Sequence, residues 1–473
     1  MRMMVKAVLV SSLTQMIPFT VSAEVPGERY RPAAAQILGV SLQSATAYDQ
    51  LGELCDQVGN RISGSKQLDQ AIAWAVKTMK ADGLQNVHTE KILVPYWKRG
   101  PEKAWTVAPQ RHDLSILGLG MSVPTPKGGI TADVVVVGSF DELDRLGEAG
   151  VKGRIVLYDA PFAGYGKTVA YRVYGASRAA KYGAVASLVR SVGSLSFDTP
   201  HTGTLHYDEK LPMIPSAAVS IENSTMMRRM AQRGERIQLH LEMENELIKD
   251  QPSANVVGEI IGSQKPQEVV LLSGHLDSWD VGQGAQDDGV GCMISLGAAK
   301  AILDAGLSPK RTIRVVFFTN EENGDFGGKG YRDAHKAELG NFVAALESDS
   351  GNGPVKGFSL DLHGEGRNKA VVTSPEEKAR AEKSLALLKS LAPLLEPLEA
   401  TRMEMGGSGT DVGATVSEGV PGIGVSHDTT HYWEIHHTKA DTFEKVIKLD
   451  MQKNTAAVGI LAYLLAEMDG TLR

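Results

Sequence analysis

Cysteine is almost absent from this chain of 473 residues, which contains only Cys55 and Cys292. A disulfide framework and a zinc site made of cysteine ligands both need more than two such residues, so both are excluded. One disulfide between the two stays open as an alternative if the protein is exported. Both cysteines lie in apolar patterns with helical spacing, which favours two buried free thiols.

Long apolar segments and basic runs are missing as well. After residue 23, no stretch is long and apolar enough to span a bilayer. The formal net charge is −7 and no basic cluster stands out, so nothing indicates nucleic-acid binding. Hydrophobic residues make up 42% of the chain and charged residues 22%, which is typical of a soluble globular protein.

Residues 1–23 have the features of a secretory signal peptide. Arg2 and Lys6 form a short basic region, a moderately apolar stretch follows, and the small residues of "VSA" (21–23) suit a cleavage site. Polar residues and a proline interrupt the stretch, which is too short for a membrane span. We therefore expect an exported protein, either periplasmic or secreted. An irregular globular N-terminus is the alternative.

The chain is too long for one ordinary core, and its pattern changes twice, which predicts two domains. Residues 24–113 show helical periodicity followed by a strand. Residues 248–473 alternate near-continuous apolar strands with helices, which predicts a mixed, largely parallel sheet covered by helices on both faces. Residues 114–247 carry short strands and one alanine-rich helix, so we expect an inserted β-rich domain there.

Acidic residues and histidines follow three of the predicted strands in the last segment. These residues are His275 and Asp277 after the first strand, Glu321 and Glu322 after the second, and Asp349 after the third. Further candidates in the sequence are Asp287, Asp288, His436 and His437. Because the carboxyl ends of neighbouring parallel strands meet at one edge of a sheet, these side chains should converge. Imidazole and carboxylate groups together suit zinc, and a carboxylate can bridge two ions.

Each of these features also has a structural explanation when it is taken alone. The paired aspartates could cap a helix, and the paired glutamates could lie in a solvated turn. A histidine and an aspartate two positions apart on a strand could form a surface ion pair, and His437 could be a core residue. Their occurrence together at the ends of several buried strands favours a metal site.

Four sequence blocks carry a resemblance to a known family. "SGHLDSWDVGQGAQDDG", "TNEENG", "ESDSG" and "HHTKADT" resemble the motifs of the M28 family of co-catalytic zinc exopeptidases. Within that family they are most similar to the plasma glutamate carboxypeptidase group. Shorter blocks such as "GNRISGSKQLDQAI" and "TPHTG" extend the resemblance over nearly the whole chain after residue 23. The resemblance implies a zinc-exopeptidase α/β fold in which residues 114–247 are the protease-associated domain often inserted in this family.

The resemblance also implies roles for individual residues. One zinc ion would be held by His275 and Asp349, the other by Glu322 and His437, and Asp287 would bridge the two. Glu321 would be the general base. Asp277 would accept a hydrogen bond from His275 and fix its tautomer, and Asp288 would orient the loop that presents Asp287. His437 is preferred to His436 because the family's last ligand stands four residues before an Asp-Thr pair, here residues 441–442.

For function, the resemblance implies hydrolysis of small peptides, in particular dipeptides with free termini, by a homodimer. The loop 406–414 and the pair Tyr432 and Trp433 could line the substrate pocket or simply pack as loop and core. His427, His431 and His436 could contact substrate or be exposed. The alternatives are a broad-specificity aminopeptidase, a single-zinc glutaminyl cyclase type, and a binding protein without catalysis. The complete set of ligands and base disfavours the last.

Overall fold

Two mixed sheets of eight strands each organise the residues that the computed structural model describes, which are 28–363 and 374–473. The expected signal peptide, residues 1–23, lies outside the described residues. Within those residues, no helix is both long enough and apolar enough to cross a bilayer.

The secondary structure of the described residues alternates strands and helices along most of the chain. The strands are β1 (Gln85–Lys98), β2 (Glu102–Ala108), β3 (Asp113–Leu114), β4 (Ile116–Gly118), β5 (Ile130–Val137), β6 (Ile155–Tyr158), β7 (Ala186–Arg190), β8 (Ser216–Val219), β9 (Gln238–Met243), β10 (Glu246–Ile260), β11 (Lys265–His275), β12 (Arg311–Phe318), β13 (Phe342–Glu347), β14 (Val355–Asp361), β15 (Arg402–Met405) and β16 (Gly422–His427). The α-helices are α1 (Arg31–Gln43), α2 (Thr46–Gln57), α3 (Lys66–Ala81), α4 (Phe140–Val151), α5 (Tyr165–Ala180), α6 (Ile221–Gln232), α7 (Val290–Asp304), α8 (Phe326–His335), α9 (Pro375–Leu391), α10 (Thr410–Val416), α11 (Tyr432–Ile435) and α12 (Lys448–Glu467).

The first sheet has the strand order β1-β10-β12-β11-β13-β16-β14-β15. Its four central strands, β12, β11, β13 and β16, are parallel, and antiparallel pairing with β10 and β14 flanks them on either side. This is the mixed, largely parallel sheet that the sequence predicts.

Alternate residues of the central strands are buried on opposite faces of the first sheet. In β11, Val270 and Leu272 belong to the core that also contains residues of α7 and α12. Val269 and Leu271 belong to a second cluster, together with Tyr331 of α8. Because side chains alternate along a strand, a sheet covered on both faces needs apolar residues at nearly every position. The apolar run "EVVLL" therefore marks a strand buried on both sides.

The two cysteines lie in the core of the first sheet. Cys55 is in α2 and Cys292 is in α7, and both are buried and free. The preferred interpretation of the sequence, two buried thiols, agrees with this arrangement.

The second sheet has the strand order β3-β2-β9-β5-β6-β7-β8-β4, and its central strands β5 to β8 are also parallel. Three helices, α4, α5 and α6, accompany it, whereas the sequence analysis predicted one. Only Leu143 and Val151 of α4 are buried, and Gly147 interrupts the helix at φ 56°. Ser139 and Ser220 are the N-cap residues of α4 and α6, and these two serines were the features of the sequence that could have indicated the starts of the helices.

The unit of the second sheet is inserted between two neighbouring strands of the first. In the antiparallel pair of β1 and β10, Lys98 lies opposite Glu246, so the chain leaves and returns at adjacent points. Strand β2 pairs with β9 in the second sheet. The unit therefore begins near residue 99, earlier than the position 114 that the sequence analysis expects. A strand whose partner lies far along the chain cannot be assigned to a sheet from local pattern alone.

Candidate metal centre

Three parallel strands of the first sheet end side by side at this site. His275, the last residue of β11, is in register with Phe318 at the end of β12. Ser273 of β11 is in register with Glu347 at the end of β13. The residues that follow these ends share one edge of the sheet; they are Glu321, Glu322 and Asp349. The convergence expected from the strand ends is thus present.

His275 lies against two carboxylates. Its Nε2 atom is 3.3 Å from Oδ1 of Asp287 and 3.6 Å from Oδ1 of Asp349. Candidate ligand atoms of these three residues all lie within 4.8 Å of one another. His275 and Asp287 are buried, whereas the side chain of Asp349 is 22% exposed. The three residues can hold one metal ion, and Asp349 faces the opening of the site.

The second oxygen of Asp287 belongs to another group of candidate ligands. Nε2 of His437 lies 3.1 Å from Oδ2 of Asp287 and 3.1 Å from Oε2 of Glu322. Glu322 and His437 are buried. Asp287 therefore stands between two sets of ligands with one oxygen toward each, which is the geometry of a bridging carboxylate.

The histidines next to His437 occupy different environments. His436 is buried with its ring stacked on that of His437, at 3.5 Å between centroids, and its Nε2 is 3.4 Å from Oδ2 of Asp287. His427 is buried and lies within hydrogen-bonding distance of Ser348 and the carbonyl of Gly353. His431 has a side chain that is 84% exposed. Of the four histidines between residues 427 and 437, His437 is the one that contacts both Asp287 and Glu322.

Several buried polar atoms at this site have no hydrogen-bond partner in the described residues. They are Nε2 of His275, Oδ2 of Asp287, Oε1 of Glu322 and Nδ1 of His436. Buried polar atoms normally find a partner, because leaving one unpaired costs roughly 1–3 kcal/mol. The first three belong to the candidate ligand set, and their nitrogen and oxygen chemistry suits a divalent ion such as zinc. The residues present therefore fit a metal ion.

Burial and mutual contact shift the pKa values of these groups in opposite directions. Burial, reinforced by Asp287, raises the pKa of Glu322 to about 7. Burial lowers the pKa of His437, but the carboxylates of Glu322 and Asp287 outweigh it and raise that pKa to about 9. Burial also raises the pKa of Asp287, yet the neighbouring imidazoles of His275 and His437 hold it well below its usual range. A bound cation favours ionised carboxylates and neutral imidazoles, so metal binding releases protons here.

Glu321 is adjacent to a candidate ligand but stands apart from both groups. Its Oε2 is 4.0 Å from Nε2 of His275, and its side chain is 17% exposed. Burial raises the pKa of Glu321 well above its usual range, with His275 opposing the effect and Asp349 adding to it. A carboxyl group whose pKa is raised in this way is suited to general acid–base chemistry.

The carboxylate of Asp277 has a different partner from the one expected. Nδ1 of His275 donates to the backbone carbonyl of Asp277 at 3.0 Å, while the Asp277 carboxylate is 3.8 Å away. Oδ1 of Asp277 accepts from the backbone N–H groups of Asn320 and Glu321, and Oδ2 accepts from Ser63. The tautomer of His275 is thus fixed by a carbonyl. The carboxylate instead positions the turn that carries Glu321, because the backbone after β12 turns back toward it.

Asp288 and Asp441 position the loop that presents Asp287. Asp288 accepts from the backbone N–H groups of His275 and Gly291, so it ties the loop to β11 and to the first turn of α7. Asp441 accepts from the N–H group of Asp287 at 3.2 Å. Helix α7 begins at Val290 and its N-cap residue is Gly289, so neither Asp287 nor Asp288 caps this helix. The orienting role expected for Asp288 fits these contacts.

The unit of the second sheet also contacts the site, which the sequence analysis missed. Thr202 donates its backbone N–H to the carbonyl of His437 at 3.0 Å, and Arg172 approaches Nδ1 of His437 to 3.3 Å. Tyr165 stacks on Trp433 at 4.5 Å between ring centroids. The block "TPHTG", which contains Thr202, resembles a family motif and could have indicated a functional role for this segment. Its sequence does not indicate a contact with His437.

A cavity of about 350 Å³ opens beside Asp349. Its walls include residues 407–410, as expected for the glycine-rich loop, together with His427 and Arg402. Burial lowers the pKa of His427 to about 4, so this residue is neutral at pH 7. Tyr432 lines a different cavity, of about 800 Å³. The two predicted walls therefore belong to separate cavities.

Comparisons with known proteins identify the family. The model of peptidase family M28 matches residues 255–462, which contain all the candidate ligands. Carboxypeptidase Q from mouse (Mus musculus) is 42% identical over 470 residues, covering 99% of this chain and 96% of the relative. Carboxypeptidase Q from Homo sapiens is 42% identical over 426 residues, covering 90% of this chain and 86% of the relative. The chain belongs to peptidase family M28 and is a metallopeptidase.

Solved structures agree with this fold. A peptidase M28 precursor from Shewanella amazonensis SB2B superposes with a TM-score of 0.88 at 33% identity, covering 94% of this chain and 99% of that chain. An aminopeptidase from Aneurinibacillus sp. strain AM-1 gives a TM-score of 0.61 at 20% identity, over 93% of this chain and 97% of that chain. The second likeness concerns the fold alone.

Proposed function

We propose that this metallopeptidase is an exported exopeptidase that binds two zinc ions and hydrolyses dipeptides with free termini. The observation that carries the metal stoichiometry is the position of Asp287. Its Oδ1 lies 3.3 Å from His275 and its Oδ2 lies 3.1 Å from His437, so one carboxylate serves two ligand sets. A carboxylate shared in this way would suit a pair of divalent ions.

The proposed ligand assignment follows the two groups. His275 and Asp349 would hold one ion, Glu322 and His437 would hold the other, and Asp287 would serve both. Bound zinc would lower the pKa of the attacking water and polarise the scissile carbonyl. Glu321 accepts the proton of that water and passes it to the leaving amine, since it is near the ligands and partly accessible. Asp277 keeps Glu321 in place through the backbone.

The cavity beside Asp349 supplies a reason to expect recognition of a free carboxylate. Arg402 is the only lysine or arginine lining it within the described residues. The side chain of Arg402 is 54% exposed, and its contact with Glu404 is long, at 3.4 Å. An exposed pair of this kind contributes little, so the guanidinium is available to a ligand. We propose that it binds a carboxylate of the substrate.

The test compares one dipeptide in three forms, free, N-acetylated and C-amidated, with zinc-loaded protein and product detection by mass spectrometry. Cleavage of the free form alone supports recognition of both termini. Equal cleavage of the amidated form would contradict the proposal and indicate an aminopeptidase. Arg402→Gln should raise KM for the free dipeptide about tenfold, because a hydrogen bond to a charged group contributes about 1.5–3 kcal/mol. Lys356→Gln, on the neighbouring strand β14, is the matched control.

Relatives and sequence support the remaining parts of the proposal. The relatives named carboxypeptidase Q are the support for carboxypeptidase activity. Residues 1–23 support export, and N-terminal sequencing of the exported protein should begin at Glu24. We also propose that the inserted unit is a protease-associated domain and that the protein is a homodimer. Light scattering after size-exclusion chromatography measures the oligomeric state.

A further inference from the structure

Thr202, in the inserted unit, makes two contacts with His437. Its backbone N–H donates to the His437 carbonyl at 3.0 Å, and its own carbonyl lies 3.2 Å from Nδ1 of the same residue. His437 has a backbone φ of 57°, in the left-handed region that a residue with a side chain rarely adopts. The unit of the second sheet thus holds both the backbone and the ring of a candidate metal ligand that belongs to the first.

Arg172, in α5 of the same unit, supports the Thr202 carbonyl. Nη1 of Arg172 donates to this oxygen at 3.4 Å, and a carbonyl oxygen can accept two donors. The arginine is only 6% exposed. Gly203 permits the close approach, because a Cβ atom at that position would lie 2.2 Å from Nη1 of Arg172. Nη1 of Arg172 also lies 3.3 Å from Nδ1 of His437, but two N–H groups cannot bond to each other, so with Nδ1 protonated both groups donate to the Thr202 carbonyl.

We propose that Arg172 is a positioning residue for the metal ligand His437, so that the inserted unit completes the metal centre. This inference rests on the proposed function, since it assumes that His437 binds a metal ion. The Nδ1–H group donates to Thr202, which leaves the lone pair of Nε2 directed at Asp287 and Glu322. Outer hydrogen bonds of this kind fix the tautomer and orientation of a ligating histidine.

The position of Arg172 argues against direct binding of substrate. Its guanidinium lies on the Nδ1 side of His437, whereas the candidate ligand atoms lie on the Nε2 side. Its side chain is buried, so the guanidinium does not open toward the cleft. Arg402, by contrast, lines an open cavity.

The experiment measures zinc affinity rather than activity. Chelator-treated full-length protein is titrated with Zn²⁺ against a competing chelating dye, for wild type, Arg172→Met and Arg172→Lys. In Arg172→Met one site should keep its affinity and the other should weaken about 10- to 100-fold, the usual effect of removing an outer partner of a metal ligand. Arg172→Lys keeps the buried charge and should show a smaller loss at the same site, which also guards against misfolding of the methionine variant.

Arg178→Met is the matched control, because Arg178 lies on the same helix but pairs with Asp144 at the surface. Its zinc affinities should equal those of wild type. Unchanged affinity at every site in both Arg172 variants would overturn the proposal. A raised KM for dipeptide without any change in zinc affinity would overturn it too and would indicate substrate binding. A wild-type stoichiometry of one zinc contradicts the two-zinc function instead, and the response of that one site to Arg172→Met then decides the present proposal.

Discussion

The two sheets of this protein have the same central plan, four parallel strands between antiparallel neighbours, but their carboxyl edges differ in charge balance. In the second sheet, β6 is followed by Asp159, whose Oδ1 accepts from Arg190 at 3.0 Å and from Ser224 at 2.7 Å. Its Oδ2 accepts from Arg228 at 3.0 Å. Every oxygen of this buried acid has a cationic or hydroxyl partner.

At the corresponding edge of the first sheet, Asp287 and Glu322 lie against imidazoles, and no arginine or lysine of the described residues pairs with either carboxylate. Oδ2 of Asp287 and Oε1 of Glu322 are buried without hydrogen-bond partners in the described residues. An acid at a strand end is therefore not in itself a functional site. What distinguishes the metal centre is that its buried acids converge on one another and leave ligand atoms unpaired, which is costly unless a cation binds.

The largest expected effect comes from Glu321, at the edge of the first sheet. Glu321→Gln should lower kcat about 10³-fold, because it removes a general base, while zinc content stays at the wild-type value. Steady-state kinetics and metal analysis of the same preparation measure both quantities.

Glu418→Gln is the control for loss of a glutamate, since Glu418 only pairs with Lys336 at the surface. Near wild-type turnover in Glu321→Gln would remove this residue from its proposed role. Loss of zinc in that variant would make it a ligand instead.

A smaller effect, on stability alone, is expected at the edge of the second sheet. Asp159→Asn leaves Arg190 and Arg228 without their buried counter-ion, so the free energy of unfolding should fall by about 2–3 kcal/mol. Urea unfolding measures this change, and zinc content should not change. The matched variant in the first sheet, Asp287→Asn, should lose zinc. If Asp159→Asn loses zinc as well, the contrast between the two edges is wrong.

The smallest expected effect is the pH dependence of stability with and without zinc. Without metal, the raised pKa values of Glu322 (about 7) and His437 (about 9) mean that both groups bind protons more tightly in the folded state. The chelated protein therefore loses stability as pH rises from about 5.5 to 7.5, whereas zinc binds better as its ligands lose protons.

The Tm difference between zinc-loaded and chelated protein should consequently widen by about 3–6 °C over that range. One pKa unit corresponds to about 1.4 kcal/mol, and each 1 kcal/mol moves Tm by about 2–4 °C in a domain of roughly 150–250 residues. Differential scanning calorimetry at several pH values measures the gap. A gap that narrows with rising pH would contradict the assigned shifts.

Strand ends were the most predictable part of this protein. The apolar run before His275 indicated a buried strand, and parallel strands bring their carboxyl ends together. The sequence therefore indicated that His275, Glu322 and Asp349 converge, and the distances at the site agree. Periodicity was less informative for α4, where Gly147 interrupts a short amphipathic pattern.

The sequence by itself indicated the parallel strands of the first sheet and the acids and histidines at their ends, because burial patterns and residue types are local properties of the chain. The family and the ligand roles followed from the resemblance of the motifs. Only the tertiary structure decided what surrounds those ligands. In the folded protein, His275 contacts the carbonyl of Asp277, and the carboxylate of Asp277 accepts from the backbone of Glu321. Thr202 and Arg172 lie against His437. These contacts join residues far apart in the chain, and their geometry depends on how the two sheets pack together.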